Sequence, residues 1–144
     1  MIRRVESSDG EVLFDAQTDV EGRQVIAPEV ADTVNSVLSG VLIKGTGQGA
    51  NIGVTAAGKT GTTTDSKDAW FAGYTCELTA AVWMGYEQPQ AMEEYRGEEV
   101  SGGTWPAQIW ADFMSEATSE DEDCEFPTTD AGERLVNQPL SGQR

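Results

Sequence analysis

The chain of 144 residues has no histidine and only two cysteines. Without histidine, Ser-His-Asp and Cys-His catalysis are excluded, and the commonest zinc ligand is missing. The cysteines, Cys76 and Cys124, are too far apart in sequence to form a Cys-x-x-Cys metal motif, and two cysteines do not make a disulfide framework. We therefore expect neither a metal site nor a cofactor.

Basic residues are also scarce, because nine lysines and arginines stand against 25 acidic residues and give a formal net charge of −16. Binding to phosphates or to an anionic membrane surface needs clustered cations, so neither a nucleic acid nor a membrane surface is an expected partner. No apolar run approaches the length of a bilayer crossing, and the N-terminus lacks the apolar stretch of a secretion signal. We expect no membrane span in this chain.

The length of the chain fits one domain. The acidic charge is concentrated at its C-terminal end. Its densest run extends from Glu120 to Asp123 and contains acidic residues only. Such a block repels itself and buries little apolar surface. We expect residues 116–144 to form an acidic, flexible tail, with an acidic docking segment as the alternative.

The hydrophobic periodicity predicts an α+β fold in which one antiparallel sheet is covered by helices. Short links between the predicted strands favour antiparallel pairing, because parallel strands need a long crossover. The predicted elements are a hairpin over residues 5–14, a helix from Pro28 to Gly45, strands over about 53–63, 69–75 and 78–86, and a helix from about Trp105 with Thr104 as its cap. The first helix is expected to have one apolar face, formed by Val30, Val34, Val37, Leu38, Val41 and Leu42. The tryptophans of the strands and of the last helix are expected to pack between sheet and helix: Trp70, Trp83, Trp105 and Trp110.

One glycine-rich stretch has two alternative interpretations. From Gly53 to Thr60 the sequence fits G-x-x-x-x-G-K-[ST], the P-loop that holds nucleotide phosphates. A P-loop needs a buried strand before it and a helix that begins at its Lys-Thr pair. Here loop-like sequence precedes the motif, and Gly61-Thr62-Thr63-Thr64 follows it, which is a poor opening for a helix. The P-loop remains the alternative interpretation.

The other interpretation is a Lys-Thr-Gly motif on a strand, formed by Lys59, Thr60 and Gly61. Lys-Thr-Gly is the third motif of penicillin-binding proteins and class A β-lactamases. Residues 1–115 resemble the C-terminal part of the transpeptidase domain of a class A, bifunctional penicillin-binding protein. The accompanying stretches occur in the family's order: Gly45-Thr46-Gly47, Asp68-Ala69-Trp70-Phe71, Val82-Trp83-Met84-Gly85-Tyr86 and Gly102-Gly103-Thr104-Trp105.

The resemblance implies a partial β-lactamase/transpeptidase-like fold and a role for each residue of the motif. Lys59 would hold the proton-transfer network and attract the carboxylate of a peptidoglycan stem peptide or a β-lactam. Thr60 and Thr62 would donate hydroxyl hydrogen bonds to that carboxylate. The amide of Thr62 would be one of two oxyanion donors, and Gly61 would let the substrate lie against the strand.

Two of the family's motifs are absent from the sequence. Its nucleophile is the serine of Ser-x-x-Lys, but no lysine here has a serine three positions before it, and no Ser-x-Asn occurs. Ser66 follows the Lys-Thr-Gly strand in a predicted turn, with no histidine to activate it. We expect the nucleophile on a missing N-terminal part of the domain. The chain alone would be an inactive D,D-transpeptidase segment or a non-catalytic interaction fragment.

The family's location bears on the two cysteines. Class A penicillin-binding proteins work at the extracytoplasmic face of the cell membrane, where disulfides persist. Cys76 is expected in a turn between strands and Cys124 in the tail, so a bond between them is sterically possible. The connectivity cannot be read from sequence, and free thiols remain the alternative.

The residues on either side of the P-loop motif lead to the first testable prediction. We expect the chain to bind no nucleotide. Titration calorimetry with ATP–Mg²⁺ and with GTP–Mg²⁺ should detect no binding heat, because no helix N-terminus is expected at Lys59-Thr60. Lys59→Ala is the matched control. Micromolar binding that this substitution abolishes would restore the P-loop interpretation.

Overall fold

The computed structural model describes residues 2–16, 24–118 and 125–127. Its strands and helices confirm the predicted α+β fold. In chain order they are β1 (Arg4–Glu6), β2 (Val12–Asp15), α1 (Pro28–Ile43), β3 (Ala57–Thr62), β4 (Asp68–Tyr74), β5 (Thr79–Gly85), β6 (Glu94–Tyr95), β7 (Glu98–Glu99) and α2 (Trp105–Ala117).

The central sheet has three antiparallel strands in the order β3-β4-β5. Thr60 of β3 pairs with Phe71 of β4, which pairs in turn with Val82 of β5. The three strands are therefore those predicted, except that β3 begins at Ala57 rather than near Gly53. The reason is local: Gly53 has φ +79°, a left-handed backbone conformation that interrupts an extended strand.

The core lies between this sheet and the two helices. Phe71 of β4 and Trp110 of α2 are fully buried, and their rings meet edge to face with centroids 5.2 Å apart. Leu42 of α1 and Met114 of α2 belong to the same buried cluster. Trp110 Nε1 donates to the carbonyl of Ala80 at 3.2 Å, so the indole is buried with its polar atom paired. This cluster holds α2 across the sheet.

Some predicted apolar positions remain exposed. Val30, Val34 and Val37 lie on the predicted apolar stripe of α1, yet each is about half exposed. Trp70 and Trp83 were expected between sheet and helix, but they are 45% and 44% exposed on the opposite face of the sheet. That expectation was wrong because periodicity identifies an apolar face without saying what covers it.

Thr104 precedes α2 but does not cap it as predicted. Its hydroxyl accepts from the amide of Ser101 and lies 3.0 Å from the carbonyls of Glu99 and Ser101. The hydroxyl is therefore engaged by the preceding turn rather than by the first amides of the helix. Thr104 thereby holds the turn that contains Gly102.

Two short hairpins flank the central sheet in sequence. The predicted hairpin of β1 and β2 is confirmed, and Gly10 in its turn has φ +89°. The hairpin of β6 and β7 was not predicted, because strands of two residues carry no alternation pattern. Its turn consists of Arg96 and Gly97, both with positive φ, which suits the twist of a two-residue hairpin.

Cys76 lies in the turn between β4 and β5, as predicted, and is disulfide-bonded. Cys124 lies outside the described residues, so the pairing of the two cysteines stays a prediction. The acidic, flexible tail also stays a prediction, because only three residues beyond Thr118 are described. One of them, Phe126, packs its ring against Tyr74 with centroids 5.5 Å apart. Phe126 therefore lies against β4.

Tyr74 also links β4 to α1, which gives a second prediction. Its hydroxyl donates to Asn35 Oδ1 at 2.6 Å, and desolvation raises the pKa of Tyr74 above the ordinary tyrosine value. The folded state holds this proton more tightly than the unfolded state does. The contribution to stability is therefore complete below about pH 10 and is lost as pH rises through the folded pKa.

We expect Tyr74→Phe to lower the free energy of unfolding by about 1 kcal/mol near pH 7, because Asn35 loses its donor. The variant should also show a weaker fall in stability above about pH 10. Urea denaturation at the two pH values measures both effects. Tyr86→Phe, at an exposed position, is the matched control, and an equal response of the two variants would contradict the assignment.

Candidate active site

The Lys-Thr-Gly motif lies on β3, which is an edge strand within the part of the chain that the structure describes. In an antiparallel pair, successive backbone amides alternate between the partner strand and the open edge. The amide of Thr63 donates to the carbonyl of Asp68 at 3.0 Å, so the amide of Thr62 points to the open edge. The amides of Thr60 and Thr62 are thus available to a ligand that lies along β3.

The side chain of Lys59 is exposed and turns along the strand toward Thr60. Its Nζ donates to the carbonyl of Thr60 at 2.8 Å and lies 3.4 Å from Thr60 Oγ1. The ion pairs found in residues 2–16, 24–118 and 125–127 involve Arg4 and Lys67, and none involves Lys59. Its positive charge can therefore attract an anionic group to this edge of the sheet.

The hydroxyls of Thr60 and Thr62 lie on the same side of β3, because side chains two residues apart share a face of a strand. Thr60 Oγ1 is 2.7 Å from Thr46 Oγ1 in the loop after α1. Thr62 Oγ1 accepts a hydrogen bond from the amide of Gly102 at 2.9 Å. The motif is therefore held from two sides, by the loop that precedes β3 and by the turn that precedes α2.

Gly102 and Gly103 approach these segments too closely to carry a side chain. A Cβ on Gly102 would lie 2.6 Å from the carbonyl oxygen of Gly61 and would overlap the carbonyl of Trp70. A Cβ on Gly103 would overlap the carbonyl of Thr46. By contrast, a Cβ on Gly61 would meet only Trp70 Cβ, at 3.4 Å. The turn before α2 is thus fitted directly onto the backbone of the motif strand.

The sequence predicted Lys59, Thr60, Gly61 and Thr62 on one strand, and all four lie on β3. It did not identify Thr46 or Gly102 as neighbours of the motif, since they appeared only as parts of the resembling stretches. A partial signal was present, because both lie in glycine-rich turns, where backbones approach each other closely.

The P-loop alternative was wrong. Lys59 and Thr60 lie inside β3, and no helix begins there. After β3, Thr64–Ser66 forms a single 3₁₀ turn in which Asp65 and Ser66 have positive φ. The row of helix N-terminal amides that would hold phosphates is therefore absent from this segment. Ser66 lies in the turn beyond the strand, as predicted.

Other site types receive no support from the described ranges. They contain no group of three or more side chains able to hold a metal ion. None of their helices is long and apolar enough to cross a membrane. A cavity of about 540 Å³ lies beside the end of β5, and its lining includes Met84, Tyr86 and Tyr95 but no residue of the motif.

Comparison with known proteins decides the family. A family model of the penicillin-binding protein transpeptidase domain matches residues 1–114. The chain belongs to this family. Penicillin-binding protein 1A of Neisseria cinerea is 36% identical over 119 residues, which are 79% of this chain and 14% of that protein. The chain therefore spans only a small, C-terminal part of this class A relative.

Solved structures of penicillin-binding proteins agree with this assignment. The penicillin-binding protein PonA1 from Mycobacterium tuberculosis has a TM-score of 0.66 and 37% identity, over 90% of this chain and 36% of that chain. PonA1 in complex with penicillin V has a TM-score of 0.63 and 35% identity over the same shares. The resemblance predicted from the motifs is thereby confirmed.

The close approach of Gly102 to β3 gives a third prediction. We expect Gly102→Ala to lower the free energy of unfolding by about 2 to 3 kcal/mol, because the new Cβ meets backbone atoms that cannot rotate away. Gly40→Ala in α1 is the matched control. A Cβ there has no atom within 4 Å, so helix propensity should raise stability by up to about 1 kcal/mol. Urea denaturation measures both, and a neutral Gly102→Ala would contradict the close contact.

Proposed function

We propose that this chain is the C-terminal segment of a D,D-transpeptidase domain that cross-links peptidoglycan, and that β3 forms one wall of its active site. The observation that carries the proposal is the exposed Lys59 beside two threonine hydroxyls on an edge strand, in a chain of the transpeptidase family. Catalysis in this family is acyl transfer through a serine ester, and β-lactams act as pseudo-substrates.

Each residue of the motif has a role in this proposal. The ammonium of Lys59 attracts the carboxylate of the stem peptide and supports the proton-transfer network. The hydroxyls of Thr60 and Thr62 donate hydrogen bonds to that carboxylate. Hydrogen bonds to a charged acceptor are stronger than hydrogen bonds between neutral groups. The amide of Thr62, at the open edge, stabilises the oxyanion. Gly61 allows the substrate to lie along the strand.

The relatives support a ligand and a location for the proposed enzyme. The PonA1 structure that is 35% identical to this chain contains penicillin V, which supports a β-lactam or the stem peptide as the ligand here. A peptidoglycan substrate supports a location at the extracytoplasmic face of the cell membrane, where the disulfide of Cys76 is stable. No cofactor takes part in this acyl transfer.

The site is incomplete in this chain. Acyl transfer needs a nucleophile, a base within hydrogen-bond reach and donors directed at the oxyanion. The chain contributes Lys59 and the amide of Thr62, but its sequence has no Ser-x-x-Lys. We propose that the nucleophile, its lysine and the second oxyanion donor come from the N-terminal part of the transpeptidase domain, so that this chain alone does not acylate.

A non-catalytic interaction fragment is the second candidate. It is favoured by the exposed pair of Trp70 and Trp83, whose ring centroids are 6.2 Å apart on the open face of the sheet. Large exposed apolar surface of this kind is typical of an interaction face. The two candidates differ in whether the completed domain reacts with a β-lactam.

A fourth prediction tests this difference with fluorescent penicillin and denaturing electrophoresis. The chain alone should carry no covalent label. A chimera in which this chain replaces the matched segment of PonA1 should be labelled, because PonA1 then supplies the N-terminal part of the domain. Lys59→Ala in the chimera should lower the labelling rate about ten- to a hundredfold, as expected for loss of a charged hydrogen-bond donor.

Lys67→Ala is the matched control, because Lys67 is paired with Asp65 at 3.6 Å in the turn beyond β3. It should leave the labelling rate unchanged. A stoichiometric label on the chain alone would overturn the proposed inactivity, and the labelled peptide would identify the serine. A chimera that melts cooperatively but takes no label would overturn the transpeptidase proposal and favour the interaction fragment.

A further inference from the structure

The hydroxyl of Thr62 has its hydrogen free. A hydroxyl group has one hydrogen to donate and two lone pairs that accept. The partner at 2.9 Å is the amide of Gly102, which can only donate, so Thr62 Oγ1 is the acceptor in this bond. Among the described residues this hydrogen has no acceptor, and Thr62 is exposed, so the hydrogen is available to a ligand.

The hydroxyl of Thr60 has two neighbours with different capacities. Lys59 Nζ, at 3.4 Å, is an ammonium group and can only donate. Thr46 Oγ1, at 2.7 Å, can donate or accept. If Thr46 donates, both lone pairs of Thr60 are occupied and its hydrogen is free for a ligand. If Thr60 donates to Thr46, Thr60 has no hydrogen left for a ligand.

An anionic ligand selects between these two arrangements. A carboxylate attracted by Lys59 offers acceptors only, so it is bound best when Thr60 is a donor. That state requires Thr46 to donate to Thr60. The resulting chain of hydrogen bonds runs from Thr46 through Thr60 to the carboxylate, and each bond polarises the next.

We propose that Thr46 is a positioning residue: its hydroxyl donates to Thr60 Oγ1 and so directs the hydrogen of Thr60 toward the ligand, as the amide of Gly102 does for Thr62. The two threonines of β3 then present two hydroxyl hydrogens on one side of the strand to a single carboxylate. Thr46 itself does not touch the ligand. The inference rests on the proposed function, since the carboxylate is that of the stem peptide or β-lactam.

The backbone around Thr46 holds it in place for this role. The amide of Gly47 donates to the carbonyl of Val41 at 3.0 Å, and the amide of Gly45 donates to the carbonyl of Gly40 at 3.1 Å. Both bonds tie the loop to the last turn of α1. Gly103 packs against the carbonyl of Thr46 from the other side. The loop that carries Thr46 is therefore fixed by neighbours on both sides before any ligand arrives.

The experiment must separate positioning from a structural link between loop and strand. A structural link would slow acylation by every β-lactam alike, whereas a donor-setting role affects ligands in proportion to the charge of the acceptor. We therefore compare penicillin V with its methyl ester, which lacks the anionic carboxylate. The protein is the chimera of this chain with PonA1, and intact-mass spectrometry measures the second-order rate of acylation.

The fifth prediction concerns Thr46→Val, which removes the hydroxyl and keeps the shape of the side chain. We expect it to slow acylation by penicillin V about three- to fivefold, because Thr60 loses the neutral hydrogen bond that orients and polarises its hydroxyl, and acylation by the ester less than about twofold. Thr46→Ser, which keeps the hydroxyl, should react with both compounds at nearly the unsubstituted rate. Thr46→Ala is a second variant without the hydroxyl, and melting curves confirm that each variant is folded.

The outcomes separate this inference from the function on which it rests. A labelled chimera whose rate with penicillin V is unchanged by Thr46→Val and Thr46→Ala would overturn the role of Thr46 alone. Equal losses with penicillin V and with the ester would overturn it too, because they indicate a structural link. A folded, unsubstituted chimera that penicillin V does not acylate would overturn both the transpeptidase function and this inference.

Discussion

The geometry of the site depends on the contacts of one buried ring, that of Phe71. Its edge-to-face packing on Trp110 joins the sheet to α2, and the ring also lies directly beneath three glycines. A Cβ on Gly47 would be 3.0 Å from the ring, one on Gly58 would be 2.8 Å from it, and one on Gly73 would be 2.9 Å from it. These glycines are thus needed because β3, the loop before it and β4 itself all pass close to the ring of Phe71.

The sequence was sufficient for the elements that carry the motif. Lys59 and Thr62 were expected on a strand, and β-branched threonines together with an apolar partner strand explain why they form one. The same stretch of sequence also fits a P-loop, and only the flanking residues argued against a P-loop. A short motif therefore has a defined meaning only when its local conformation is known, and here that conformation depends on pairing with β4.

Contacts between residues distant in sequence could not be predicted. Thr46 and Thr60 meet across a loop, and Thr62 meets Gly102 only after four further strands, β4 to β7, have intervened. Neither contact leaves a periodic pattern or a fixed residue spacing in the sequence, because each depends on how α1 and α2 are placed against the sheet. The exposed side chains of α1 and of the open sheet face were mispredicted for a related reason: covering partners are not encoded in local periodicity.

The bond between the amide of Gly102 and Thr62 has a consequence for local unfolding. Gly102 lies in the turn that enters α2, so a displacement of that turn from the sheet breaks its hydrogen bond to Thr62 on β3. Proteins open in cooperative units that often join neighbouring elements. The edge strand and the first turn of α2 should therefore belong to one such unit, in which protection of the Gly102 amide from hydrogen exchange reports whether β3 is still in place.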